Sequence, residues 1–600
     1  MKQSPGSARD LLVILAIGCL VLLPNLGAVS LWDLDEALWG STTVEMARRG
    51  DWIVPWHNDE VSTHKPPLMF WVMLVGSGLC GENEFGFRIG SAVFGILTAL
   101  VVYLLGTRLA CRQVGLVAAI ACLTAVNLVL VSRAANPDIE LTFLGVAALA
   151  IFVHSCRTDG GTSAANWPPQ GRISRLPLAA AIALYTVLGL AVLTKGPLGV
   201  ALPAVSLSLF VWWHNLAVSR ESRAGRSLGS RIAAVIAEGW RAAWALRPLT
   251  ALVVVLVVAG PWYVLVHERS DGAFGADFIG VHHVQRFLEP MEGHRGPLFF
   301  YLPVLLVGMF PWSMFAIPTA LDTARRLRAA APGRTTAMLL VAWLATWIGI
   351  FSLAQTKLPN YILPAYPAAA LLVALFLVEW MRSPTPASGR WMQIALGLLV
   401  GIGGATVVGC LMAPTFRVGE QSLLEMATAA ESAVGILRLA AWSGGIMAAG
   451  AAACLWLIAR GRRPATLIAY CGTAVALAVF LFGYVAVAAG RLQPAGELVR
   501  IMRANGATDA TPLGQCRYSQ PSLVLYGGRR VEPCRDAEGC RHFFTEHPDG
   551  MLVVRVADHE EARDLLPDGT DTMRTEIIGT VADFPKRSTL LVVRRAKDGL

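Results

Sequence analysis

Along most of the chain the apolar residues come in continuous runs near twenty long, and the polar residues gather between the runs. A helix needs about 20 consecutive apolar residues to cross the hydrocarbon core of a bilayer. Inside hydrocarbon a helix satisfies its own backbone, whereas a barrel strand shows only about ten residues of alternation. The runs therefore predict a bundle of about thirteen transmembrane helices, centred on residues 11–31, 87–107, 114–132, 139–156, 177–194, 197–213, 249–267, 298–320, 337–354, 361–381, 391–412, 436–459 and 466–489. Two of these share the 177–213 region with only "TKGP" between them, which leaves the count open by one. The first run lacks a small-residue cleavage site and is longer than a signal-peptide core, so it reads as a retained span.

Between the first two spans lies a segment, 32–86, too long for a simple connection. Glu36 to Arg49 has the pattern of a short helix closed by Gly50, and "PPLMFWVMLVGSGLC" (66–80) is apolar over too short a distance to span. The two prolines suit a helix start, so the second segment is expected to lie at the interface or re-enter. Beyond residue 490 the pattern changes. "SLVLYG", "HFFTE", "MLVVRVAD" and "TLLVVRR" are short β-prone runs, with the helical pattern "HEEARDLL" among them. The expected organisation is a transmembrane domain over 1–490, its outer-loop helices (32–86) included, followed by a small α/β soluble domain over 491–600. The fold class is thus mainly α, and no internal repeat or low-complexity tract is visible.

Composition agrees: of 600 residues 55% are hydrophobic and 15% charged, with mean hydropathy +0.55. Charge adds an orientation. Lys and Arg are retained on the cytoplasmic side, and the basic clusters fall at 157–175, 220–247, 325–328 and 460–463, while most acids fall in the alternate loops. The net charge of +9 reads as this bias and not as nucleic-acid affinity. The 491–600 domain is then external, where a disulfide is permitted. Cys516, Cys534 and Cys540 lie in it and Cys80 lies in the first outer loop; one bridge within the tail is expected.

Three constellations of reactive side chains fall on the outer face: "DLDE" (33–36), "THKPPL" (63–68) and "HHVQRFLEPMEGHRGP" (282–297). Each has a plain reading as a solvated helix end, a snorkelling lysine or a polar loop. Together they collect Asp35, Glu36, Lys65, His64, His282, His283 and Arg286 beside the bilayer, a mixture suited to a substrate with an anionic head and a lipid tail. The Asp33-x-Asp35 spacing also matches a nucleotide-diphosphate motif of soluble glycosyltransferases, but their α/β nucleotide-binding domain is missing here. Lys195 in "LTKGPLG" and Lys357 in "AQTKLPNYILPAYP" interrupt apolar sequence. A charge at a span centre costs roughly 2.5–3.5 kcal/mol, so each is expected at a span end or in a wet cavity.

With "LDEALWG", "EMARRGDWIVPWHND", "HKPPLMFWV", "NEFGFRIGSAVFG", "SRAANPDIELTF", "VLTKGPLG", "HHVQRFLEP", "PLFFYLPVLLVGMFPWS" and "TKLPNYILPAYPA", the chain resembles the bacterial membrane glycosyltransferases of the aminoarabinose transferase type. These are relatives of the protein O-mannosyltransferases and share the GT-C fold. The likeness covers roughly residues 10 to 380, with a fainter stretch at 521–531. It implies transfer of a sugar from a polyprenyl (undecaprenyl) phosphate to lipid A or another envelope acceptor, with inversion, at the periplasmic face of the inner membrane. Position by position it implies that Asp35 and Asp138 are catalytic, and that Lys65, Arg286, Lys357 and Tyr361 surround the donor phosphate. Glu36, Lys195 and His282 are further cavity residues.

Two positions depart from the pattern: Leu38 stands where the family has arginine, and His64 where it has a glutamate metal ligand. Imidazole can replace carboxylate on zinc, so His64 with His283 is the expected site of an optional divalent metal; no cofactor is required. The expected partners are the lipid-linked sugar, the glycolipid acceptor and membrane lipid, with no nucleic acid, for a monomer. Two other readings compete, transfer to protein hydroxyls and a transporter or flippase of a lipid-linked sugar. A transporter would carry charge near the bilayer midplane, whereas here the charges cluster at one face.

Overall fold

The computed structural model describes residues 8–33, 35–158, 167–219, 227–280, 285, 288–289, 295–328, 333–383, 389–415, 417–418, 421–422, 430–508, 510–528, 530–557, 559–566, 574–583 and 588–596. Among them ten helices are long and apolar enough to cross a membrane, and two bent pairs bring the number to twelve. Arg112–Thr124 and Val126–Ser132 bend by 64°, and Tyr301–Gly308 and Trp312–Arg328 by 116°. The first apolar run forms α1, Ala8–Leu22, shorter than the run itself. Pro24 stands just past its end, and the carbonyls of Val21, Leu22 and Pro24 accept from the Arg133 guanidinium at 3.1, 2.8 and 2.8 Å. A distant arginine thereby satisfies the open end of the helix, and residues 23–31 form a loop.

The bundle has a centre and a periphery. The Pro359–Arg382 span is 94% buried, against 17% for the Leu228–Arg269 stretch, which leaves Leu252, Val253, Leu256 and Val257 facing outward. In water such exposure would mark an interaction site; on a membrane span it is the lipid-facing side.

The outer loop folds into α2, Glu36–Arg49, and α3, Leu68–Cys80. Gly50 closes α2 at φ 64°, returning hydrogen bonds to Ala47 and Met46, a conformation glycine adopts without steric cost. Between them is a two-stranded hairpin, Trp56–His57 with Glu60–Val61. Its turn residues Asn58 and Asp59 sit at φ 54° and 66°, the left-handed pair that matches strand twist. The Glu45 carboxylate fixes the turn by accepting from both their amides, at 2.5 and 3.3 Å. After α3 the chain enters the span α4, Glu84–Leu109.

The C-terminal domain holds a five-stranded sheet in the order Val531–Cys534, Leu513–Cys516, Met551–Val556, Thr589–Arg595, Thr575–Ala582. The first three strands are parallel and the last two run antiparallel. Two of the β-prone runs are helical here. "SLVLYG" lies in the Pro521–Gly527 helix, with proline at its first turn, and "HFFTE" in Ala537–Glu546, capped by Asp536 accepting from Gly539 N at 2.9 Å. Short apolar runs do not distinguish strand from helix; the capping residues decide. Cys516 and Cys534 are cross-strand neighbours, and they and Cys540 are buried free thiols.

The edge strand of this sheet docks on the outer loop. The Asn58 side chain accepts from Val531 N at 2.9 Å and donates to Val531 O at 3.0 Å, taking the place of one more ladder residue. Asp33 accepts from Ser522 N at 3.0 Å, the Tyr526 hydroxyl accepts from Leu31 N at 2.7 Å, and Arg48 donates to Gly528 O at 2.7 Å.

Candidate active site

The acids of "DLDE" divide on folding. Glu36 turns inward at the first position of α2 and pairs with Arg88 of α4 through two hydrogen bonds, Nε–Oε1 at 2.9 Å and Nη2–Oε2 at 2.7 Å. It also accepts from Ala135 N at 2.6 Å and Trp32 N at 3.1 Å, while Arg88 donates to the carbonyls of Leu26, Val29 and Ser30. Both side chains are buried, which only such full satisfaction makes tolerable. Glu36 therefore fastens the entry of the loop. Asp33 is committed to the C-terminal domain.

Asp35, by contrast, is exposed at the N-cap position of α2 and spends no side-chain bond on capping. With Asp33, Arg133, Asn136, Asn360 and the clamped pair Glu36 and Arg88 it lines a cavity of about 340 Å³, whose lining also includes the apolar side chains of Leu130, Phe482 and Val487. A lining both charged and apolar suits an amphiphile.

Asp138 lies directly behind this wall. Asn136, a wall residue, caps the Pro137–Ser155 helix by accepting from Asp138 N at 2.8 Å. The Asp138 carboxylate forms an ion pair with Lys195, the last residue of the Leu178–Lys195 helix, and that ammonium stands 4.8 Å from the ring of Tyr361, neighbour of the wall residue Asn360. Three residues distant in sequence thus form one cluster beside the cavity.

On the other flank of α2, the Lys65 ammonium stands 5.6 Å from the ring of Trp39, one turn after Asp35. The His64 ring meets the same indole edge-on at 6.1 Å. Four helical residues rise about 6 Å, so α2 carries the acid and the platform for the cation on one short segment. The Trp39 indole N–H is buried and has no hydrogen-bond partner among the described residues. His57 stands nearby with Nδ1 2.6 Å from Ser41 Oγ. Burial, and then the charge of His64, push its pKa down to about 4, so it is a neutral imidazole at physiological pH.

Lys357 has a different environment. Its ammonium donates to the carbonyls of Ser352 at 2.7 Å, Ala354 at 2.8 Å and Phe351 at 3.4 Å, closing the end of the Arg334–Leu353 helix. Burial pushes its pKa down. It adjoins the Tyr361 cluster through Phe351, whose ring lies 5.0 Å from that of Tyr361. Arg286, His282 and His283 lie outside the described residues. Of the optional metal set only His64 lies among the described residues, its Nδ1 3.4 Å from Ser62 Oγ.

Sequence reasoning passed over Arg88, Arg133, Trp39, Asn136 and Asn360. All five fall within quoted motifs, but nothing in the linear pattern tells a buried clamp from a surface charge.

The family model described as dolichyl-phosphate-mannose-protein mannosyltransferase matches residues 44–265. The undecaprenyl phosphate-alpha-4-amino-4-deoxy-L-arabinose arabinosyl transferase of Pectobacterium carotovorum is 29% identical over 483 residues, 78% of each chain. That of Pectobacterium atrosepticum is 28% identical over 479 residues, again 78% of each. The chain is thus similar to the bacterial aminoarabinose transferases over most of its length. It has their fold as well: the crystal structure of ArnT from Cupriavidus metallidurans bound to undecaprenyl phosphate superposes with a TM-score of 0.72 at 21% identity, covering 97% of both chains. The aminoarabinose-transferase architecture thus extends over the C-terminal sheet domain and not only the spans.

Proposed function

We propose that this protein transfers a sugar, aminoarabinose or a related pentose or hexose, from a polyprenyl phosphate to lipid A or another envelope glycolipid. The reaction takes place at the periplasmic face of the inner membrane. One observation carries the reading: α2 presents the exposed carboxylate of Asp35 to an amphiphilic cavity and, one turn on, the indole beneath the Lys65 ammonium.

In the reaction the bond from the anomeric carbon to the donor phosphate oxygen breaks as the acceptor oxygen attacks from the opposite side, which inverts the centre. Negative charge grows on the departing lipid phosphate and positive charge on the anomeric carbon. Lys65, with Arg286, stabilises the first as preorganised charge. Asp35 faces the second. For a hydroxyl acceptor Asp35 takes the proton; for a phosphate monoester, whose second pKa is near 6, no proton need move and Asp35 stabilises the sugar cation. Asp138 holds Lys195 beside Tyr361, shaping the site. A zinc ion held by His64 and His283 would add positive charge beside the same phosphate.

The test compares lipid A and total glycolipids by mass spectrometry in cells with and without the gene. A sugar adduct that depends on the gene and disappears with Asp35→Asn and Lys65→Ala is expected. An adduct that survives both substitutions overturns the site. A gene-dependent glycan on protein, with unchanged lipid A, would replace the glycolipid acceptor by protein hydroxyls, the activity named by the family model over 44–265.

A further inference from the structure

We propose that Glu532, Glu546 and His547 form a binding site for a divalent transition-metal ion, zinc by preference, on the C-terminal domain. The site is independent of the sugar-transfer reading and lies in a different domain from His64. The three residues come from two elements: Glu532 from the edge strand Val531–Cys534, and Glu546 and His547 from the end of the Ala537–Glu546 helix. One ligand atom from each lies within 4.8 Å of the other two.

Zinc holds histidine nitrogen and carboxylate oxygen at about 2.0–2.2 Å, so tetrahedral ligands stand about 3.3 Å apart. His547 Nε2 and Glu532 Oε1 are already 3.1 Å apart, and the Glu546 carboxylate closes on them by rotation of an exposed side chain. The His547 ring is held from behind by Phe543, 5.3 Å away, and its backbone amide donates to Phe543 O at 2.8 Å.

Three features distinguish this set from an ordinary surface ion pair, which contributes little. Two carboxylates converge from separate elements on one imidazole, so their mutual repulsion is relieved by a cation. The set sits at the C-terminal end of a helix, where the unpaired carbonyls favour positive charge. One turn back, His542 Nε2 is 3.6 Å from Glu546 Oε1, so a second imidazole borders the set. One imidazole and two carboxylates, with water completing the coordination, suit zinc better than calcium or copper(I). The bound ion would tie the helix end to the strand residue next to Val531, the residue that docks on Asn58.

The test uses the full-length protein in detergent, freed of metal and titrated with Zn²⁺ against a chromophoric chelator. The native chain is expected to bind one equivalent that is lost in the Glu532→Gln/His547→Ala double variant and retained in His64→Ala. Glu546→Ala, at an exposed position, should weaken that equivalent at least tenfold. Co²⁺ in its place should give the intense visible bands of a tetrahedral site in the native chain and not in the double variant. Equal Zn²⁺ stoichiometry and affinity in native, double-variant and Glu546→Ala proteins would overturn the proposal. So would loss of the equivalent in His64→Ala alone.

Discussion

Lys65 and Lys357 both stand within two residues of a proline at the border of apolar sequence, yet their ammonium groups have different work. Lys65 stands over an indole at the edge of the outer loop, and Lys357 closes three carbonyls at a helix end. Methionine keeps the length of either side chain and removes the charge. Lys65→Met is expected to lower sugar transfer by about 100-fold or more, the scale of losing a preorganised charge, with the melting temperature unchanged. Lys357→Met leaves carbonyls without a donor, about 1–3 kcal/mol, so its melting temperature should fall together with activity. Paired thermal melts and transfer assays separate the two. The adjacent acids divide likewise: Asp35→Asn should remove activity from a normally folded protein, whereas Arg88→Met strands a buried carboxylate and should cost about 3–5 kcal/mol, read as a lost folded fraction in detergent.

The helix from Glu36 to Arg49 organises the outer face. Its first turn carries the buried clamp and the exposed acid, its second the Trp39 platform, and its last Arg48, which reaches the C-terminal domain. Its limits were legible in the sequence, because a glycine at the end and carboxylates at the start are local signals. The hairpin after it was not, although Asn58-Asp59 is a turn pair; its strands are two residues each and carry no periodicity. That hairpin presents the side chain that extends the sheet. Asn58→Ala should leave the Val531 amide and carbonyl without partners, about 1–3 kcal/mol at the seam. Limited proteolysis should then release the C-terminal domain faster than in the native protein, with the spans intact.

For the molecule as a whole, the run lengths were sufficient to place the spans because the bilayer imposes one length and one composition on every crossing helix. Ten single helices and two bent pairs stand where runs were expected, and α1 occupies the first. The loop after α1 was illegible, since Arg133, which ends that helix, comes from another part of the chain. The β-prone runs that became helices fail for a related reason: a four- or five-residue apolar stretch fits either element, and the cap and the neighbouring layer choose. The sequence by itself determined the membrane class, the place of the crossings, and which acids and cations stand at their ends, because these follow from local composition against a uniform solvent. Only the tertiary structure decided that Glu36 is a buried clamp while Asp35 is exposed, that Asp138 pairs with Lys195 beside Tyr361, and that Trp39 lies under Lys65. Those facts depend on contacts between segments tens to hundreds of residues apart, where burial and pairing, and not the residue type, fix what a charge can do.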